Sequence, residues 1–144
     1  MKRRILVAYD GSEFCQESLN EAKLQAMGDP ETEVYVISVV TQAAPSTNAA
    51  VARNIEMEMA ETLRPEMEKI EKDFETNDVT VYTDVVIDTT QRNAGEKICS
   101  YAHDYDIDLI IIGSRGLGNV KSMLLGSVSN RVVQLAQCPV LIIK

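Results

Sequence analysis

The chain has 144 residues, 45% of them hydrophobic, which is enough for a single domain with its own core over residues 1–144. Its formal charge is −8 and its longest basic run is Lys2-Arg3-Arg4, so it would repel a phosphate backbone, which argues against nucleic-acid binding. No apolar segment approaches the roughly 20 residues a membrane span needs, and the run after the basic triplet stops at Asp10, short of a signal-peptide core; the expected location is the cytoplasm.

Arg3 to Tyr9 is a continuous apolar run, too short for a helix and suited to a strand covered on both faces. Asp10-Gly11-Ser12 ends it, and Ser12 opens a helix in which Cys15, Ser18, Leu19, Ala22 and Ala26 recur at helical spacing. Gly28 and Pro30 stop that helix. Glu33 to Val40, rich in β-branched residues, is the second strand.

Thr41 to Asn48 is polar, contains Pro45 and reads as a loop. A long helical stripe follows through Ile55, Met59, Leu63, Met67, Ile70 and Phe74, with its methionines as core filler. Pro65 either kinks this helix or opens its second half. Glu56, Glu58, Glu61, Glu66, Glu68, Glu71 and Glu75 lie mostly off the stripe and form a solvated face.

Val79 to Ile87 is a third strand whose polar Thr80, Thr83 and Asp84 suit a sheet edge. A helix from about Arg92 carries Ala94, Ile98, Tyr101, Ala102 and Tyr105 on one side. Asp108 to Ile112 is the fourth strand. Val128, Val132, Leu135 and Ala136 mark a last helix, and Val140 to Ile143 a fifth strand. Strands alternating with helices, on connections long enough for right-handed crossovers, give an α/β fold: an open parallel sheet with helices on both faces, Rossmann-like.

Cys15, Cys99 and Cys138 are scattered, with no Cys-x-x-Cys pair, and read as buried thiols rather than a disulfide framework or zinc site. His103 has no ligand-spaced companion and reads as a surface residue.

Gly113 to Val128 carries the functional signal. A strand ends, a glycine-rich loop of about a dozen residues follows, and a helix begins at Gly126-Ser127. Gly113 and Gly116 permit positive φ and close backbone approach to a ligand. The unpaired N–H groups and positive dipole end at Gly126-Ser127 favour an anion, although a serine there also serves as an ordinary cap. The spacing Gly113, two residues, Gly116, nine residues, Gly126-Ser127 resembles the nucleotide-binding signature of the universal stress protein family. Ile5 to Ser12 is similar to that family's first strand and turn, and Val128 to Val132 and Cys138 to Ile143 to its last helix and strand. The likeness spans the chain and is least in residues 45–75.

The resemblance implies strand order 3-2-1-4-5, with the reversal between the first and fourth strands, where Asp10 and Gly113 stand and where ligands of such sheets bind. It also implies that adenine is read by main-chain groups at Val39, with Val40 as neighbour, and that the protein is a homodimer through Val140 to Ile143. An unpaired apolar edge strand argues for the same pairing.

ATP is the expected ligand. Phosphate oxygens would meet the N–H groups of Gly116, Ser127 and Val128 and the Ser127 hydroxyl, while Gly113 and Gly126 admit the backbone closely. Asp10 facing a polyanion requires a ribose hydroxyl or a Mg²⁺ or Mn²⁺ ion between, with phosphates as principal metal ligands; an Asx turn with Gly11-Ser12 is the alternative, and both can hold. Arg115 and Lys121 would neutralise phosphate or serve as exposed loop cations. The Gly-x-x-x-x-Gly-Lys-Ser/Thr loop is absent and no general base stands in a recognisable motif, so no catalytic residue is assigned. The expected function is a nucleotide-responsive stress protein acting on an unknown protein partner; the alternative is a slow ATP hydrolase or adenylyl-transfer enzyme.

Overall fold

The computed structural model describes residues 2–41, 49–88, 93–115 and 125–144. The elements run β1 (Arg3–Ala8), α1 (Glu13–Ala26), β2 (Thr32–Thr41), α2 (Ala49–Thr76), β3 (Thr80–Asp88), α3 (Ala94–Asp104), β4 (Leu109–Gly113), α4 (Ser127–Leu135) and β5 (Val140–Ile143). The strands form one sheet in the order β3-β2-β1-β4-β5, and every neighbouring pair is parallel. This is the order that the family resemblance implies.

The continuous apolar character of β1 follows from its central place. Ile5, Leu6 and Val7 are each 0% exposed, because both faces of the strand are covered. Ile5 and Val7 join Leu19, Ala22 and Ala26 of α1 and Met67, Ile70 and Phe74 of α2 in one core. Leu6 turns the other way and meets Ile98 and Ala102 of α3 and Val132 of α4 in a second. At about 1.5–3 kcal/mol for each large apolar side chain withdrawn from water, these two layers hold the central strands rigidly and fix the ends of β1 and β4.

Several expectations are corrected. Helix α2 is continuous through Pro65, so its second half is not a separate helix. A proline there removes a backbone hydrogen bond, but Met67, Ile70 and Phe74 anchor the following turns against the sheet at 4, 8 and 1% exposure. Before the proline, Met57 and Met59 are 62 and 45% exposed and fill no core. Tyr105 is the C-cap of α3 and is exposed, stacked on Tyr101 with centroids 4.2 Å apart. Of the three thiols, Cys15 is buried whereas Cys99 and Cys138 are only half-buried. His103 is exposed. Among the described residues no helix is long and apolar enough to cross a membrane.

Candidate nucleotide site

The order reverses at β1, which pairs with β2 on one side and β4 on the other. The carboxyl end of the sheet at such a reversal is the place where open α/β sheets bind ligands. Val7 is paired with Ile111, so Gly113, the last residue of β4, lies level with Tyr9, and Asp10 follows at once.

Gly113 is glycine for a different reason from the one its motif suggests. Its backbone is not in the left-handed region, which among the described glycines is reserved for Gly11 (φ +85°) and Gly28 (φ +80°). A Cβ on Gly113 would instead stand 2.6 Å from the Cβ of Phe14. The missing side chain lets α1 lie against the end of β4, so close packing replaces the expected positive φ. Gly126 is the reverse case. An added Cβ there would meet nothing nearer than the Ser114 carbonyl at 3.5 Å among the described residues, and φ is −66°.

These residues are brought together by two backbone hydrogen bonds. Ser114 N–H donates to the Ile143 carbonyl at 2.7 Å, and Gly126 N–H donates to the Ser114 carbonyl at 2.7 Å. The chain therefore leaves the sheet after Ser114 and returns to the same point at Gly126. Half-buried Arg115 sits at this crossing, its Cα 3.6 Å from the place a Gly126 Cβ would take. Gly116 and Lys121 lie outside the described residues.

Gly126 is the N-cap of α4 and, as a glycine, brings no side chain of its own to cap the helix. Ser127 is thus the first helical residue, not the cap, and it is exposed. The serine next to the opening, Ser129, turns its hydroxyl back to the carbonyls of Ser114 and Gly126, both at 3.1 Å. The first intrahelical acceptor bond runs from Asn130 N–H to Gly126 O at 2.9 Å. That leaves the N–H groups of Ser127, Val128 and Ser129 without an acceptor among the described residues, at the positive end of the helix dipole.

Sequence reasoning passed over the residues that hold this helix start in place. Asn93 caps α3 by accepting from Gly95 N–H at 2.7 Å, and its Nδ2 donates to the Ser127 carbonyl at 3.3 Å. Gly95 lets α3 and α4 touch: a Cβ there would lie 2.8 Å from both the Arg131 Cβ and the Val128 carbonyl. Arg131 then pairs with Glu96 at 2.6 Å. The signal was the string Asn93-Ala94-Gly95-Glu96, a cap residue followed three later by an acid.

Asp10 is exposed just past the carboxyl end of β1. Its Oδ1 accepts from Ser12 N–H at 2.9 Å, so the Asx turn is present, with Gly11 supplying the left-handed residue. Oδ1 also accepts from the Cys15 thiol at 2.8 Å. Burial, and secondarily this hydrogen bond, pushes the Cys15 thiol up to about 11. Burial and then Glu66 on α2 push the Tyr9 hydroxyl up to about 12. Among the described residues no three His, Cys, Asp or Glu side chains cluster as a metal site, so a cation at Asp10 would take most of its ligands from phosphate and water.

Val39 is half-buried in β2. The Ile37 carbonyl points at β1, where it accepts from Tyr9 N–H at 2.8 Å. Residues two apart in a strand direct their amides to the same side, so the Val39 N–H and C=O face the same way, beyond the point where β1 has ended at Ala8. Buried Val40, 3% exposed, packs beside it.

The sequence model of the universal stress protein family matches residues 1–144. Universal stress protein YxiE of Bacillus subtilis is 29% identical over 151 aligned positions, covering 100% of both chains. The solved structure of MJ0577, a Methanocaldococcus jannaschii universal stress protein, superposes with a TM-score of 0.89 at 29% identity, covering 100% of this chain and 96% of that one. The fold recurs, at a TM-score of 0.67 and 21% identity over 99% of this chain and 98% of the other, in the Archaeoglobus fulgidus universal stress protein solved in complex with dAMP. With the parallel sheet, its order and the whole-chain match in agreement, the chain belongs to the universal stress protein family.

Proposed function

We propose that the protein binds an adenine nucleotide, ATP with Mg²⁺ or Mn²⁺, in the cleft between the carboxyl ends of β1 and β4. The observation that carries this reading is the start of α4. Its first N–H groups have no acceptor among the described residues, and Gly126 is glycine where neither its φ nor its described neighbours demand one. A bare helix start with a bare Cα beside it fits a phosphate that must approach the backbone. In this reading Ser127 and Val128 hold phosphate oxygens together with Gly116, Arg115 offsets their charge, Val39 reads the adenine edge, and Asp10 meets the ribose or the cation. A relative of the same fold accommodates dAMP, an adenine ligand of the same class.

The chemistry favours binding over turnover. Cys15 and Tyr9, the titratable neighbours of Asp10, both hold their protons at neutral pH, so neither acts as a general base. The protein then serves as a nucleotide-responsive regulator of stress resistance in the cytoplasm, a homodimer through β5 that presents a nucleotide-dependent surface to a protein partner. Calorimetry with ATP, ADP, AMP and cyclic AMP, each with and without Mg²⁺, tests the reading: saturable heat with ATP is expected, and no heat with any of them overturns it. Turnover of about 1 per second or more, in the ordinary enzyme range, would replace the regulator with an ATP hydrolase.

A further inference from the structure

We infer that Cys15 is a positioning residue for Asp10: its buried sulfur clamps the Asp10 carboxylate through Oδ1 and leaves Oδ2 to the ligand, an inference that rests on the nucleotide reading above. The sulfur holds Asp10 from two directions. Asp10 N–H donates to Sγ at 3.2 Å, and the thiol donates to Asp10 Oδ1 at 2.8 Å. Ser12 reinforces both ends, its N–H donating to Oδ1 at 2.9 Å and its hydroxyl to Sγ at 3.4 Å.

A thiol has one proton, and the competing acceptor is the Ala8 carbonyl at 3.5 Å. The shorter contact, to a charged oxygen, is the stronger one. With Oδ1 held by two donors, rotation about the Asp10 side chain is restrained, and among the described residues nothing donates to Oδ2. Cys15 itself is 4% exposed and does not reach the ligand, so its influence passes through Asp10. A carboxylate ordered during folding loses no further side-chain freedom on binding, and that preorganisation raises affinity.

Two substitutions separate this role from packing. Cys15→Ser keeps a donor and an acceptor and loses volume; Cys15→Val keeps volume and loses both hydrogen bonds. Measured by calorimetry with Mg-ATP, Cys15→Ser should stay within about 3-fold of the wild type, while Cys15→Val should weaken binding by about tenfold, the effect of one charge-assisted hydrogen bond. Wild-type affinity in Cys15→Val, or an equal loss in both variants, overturns the proposal. Infrared spectroscopy of the ligand-free protein gives an independent reading. The S–H stretch absent from Cys15→Ser should lie below those of Cys99 and Cys138, and a band coincident with theirs overturns the clamp. Absence of ATP binding in the wild type would sink the nucleotide reading, whereas the infrared band would still decide the Cys15–Asp10 contact.

Discussion

Gly113 and Phe14 compete for one space: a Cβ on the glycine would stand 2.6 Å from the Cβ of the phenylalanine. The contact joins the end of β4 to the first turn of α1, so both the strand end and the Asp10 turn depend on it. Gly113→Ala must push α1 away, and overpacking of this kind costs about 1–3 kcal/mol. Urea unfolding should show the loss with and without nucleotide, because the effect lies in the fold. An unchanged midpoint would mean that α1 yields freely.

Gly126→Ala should behave in the opposite way. The nearest described atom to its new methyl is the Ser114 carbonyl oxygen at 3.5 Å, an ordinary contact. Stability should stay within about 1 kcal/mol, the modest cost of an alanine in place of an N-cap glycine. Affinity for Mg-ATP should fall at least about tenfold, since the methyl occupies the approach to the α4 N–H groups. Calorimetry and thermal unfolding on one preparation check both halves. Retained affinity would show that the nucleotide does not press against Gly126.

The contrast between these glycines marks how far the sequence could be read. Periodicity and run length placed the strands and helices, and the apolar run Ile5-Leu6-Val7 identified the central strand, because burial on both faces leaves a direct imprint on composition. The reasons behind individual residues were less visible. Gly113 and Gly126 look alike in a motif, yet one is set by Phe14, far away in sequence, and the other by no described neighbour. Asn93, Gly95 and Cys15 act through contacts between elements, which no local pattern encodes. Met59 followed the helical stripe into an expected core and is exposed instead, because α2 meets the sheet through the turns after Pro65.

Alkaline pH should destabilise the protein more than mild acid. Burial is the largest cause raising Tyr35, Tyr101, Cys99 and Cys138, with Asp84 adding to Tyr101 and Glu33 to Tyr35. Each of these groups is neutral when protonated, and its folded value lies above its unfolded one. The protonated form is therefore favoured by folding, a stabilisation fully present below the unfolded values near 9 for the thiols and 10 for the phenols and lost as pH rises through the folded ones. Urea midpoints should fall progressively above pH 9, and Tyr101→Phe should flatten the decline above pH 10. Tyrosinate absorbance would fix the window, and phenols ionising at their ordinary value in the folded protein would contradict the assignment.

The outer edge of β5 supplies the last prediction. Its strand pairs with β4 through Ile111 and Leu141 and has no strand on its other side among the described residues. All four of its residues are half-buried, Leu141 and Ile143 against one core and Val140 and Ile142 against the other. A short apolar edge with no proline or charge is prone to pair with another chain, and a second copy related by a two-fold axis closes it. Sedimentation should give a dimer for the wild type, with a thermal midpoint that rises with protein concentration. Leu141→Lys places an ammonium group at the seam and should give monomer. Because Leu141 also packs against the first core, the variant's midpoint should drop as well, and circular dichroism must confirm that the monomer is folded. A folded variant that remains a dimer would move the association to another surface, since a lysine charge cannot be buried unpaired in that seam without breaking it.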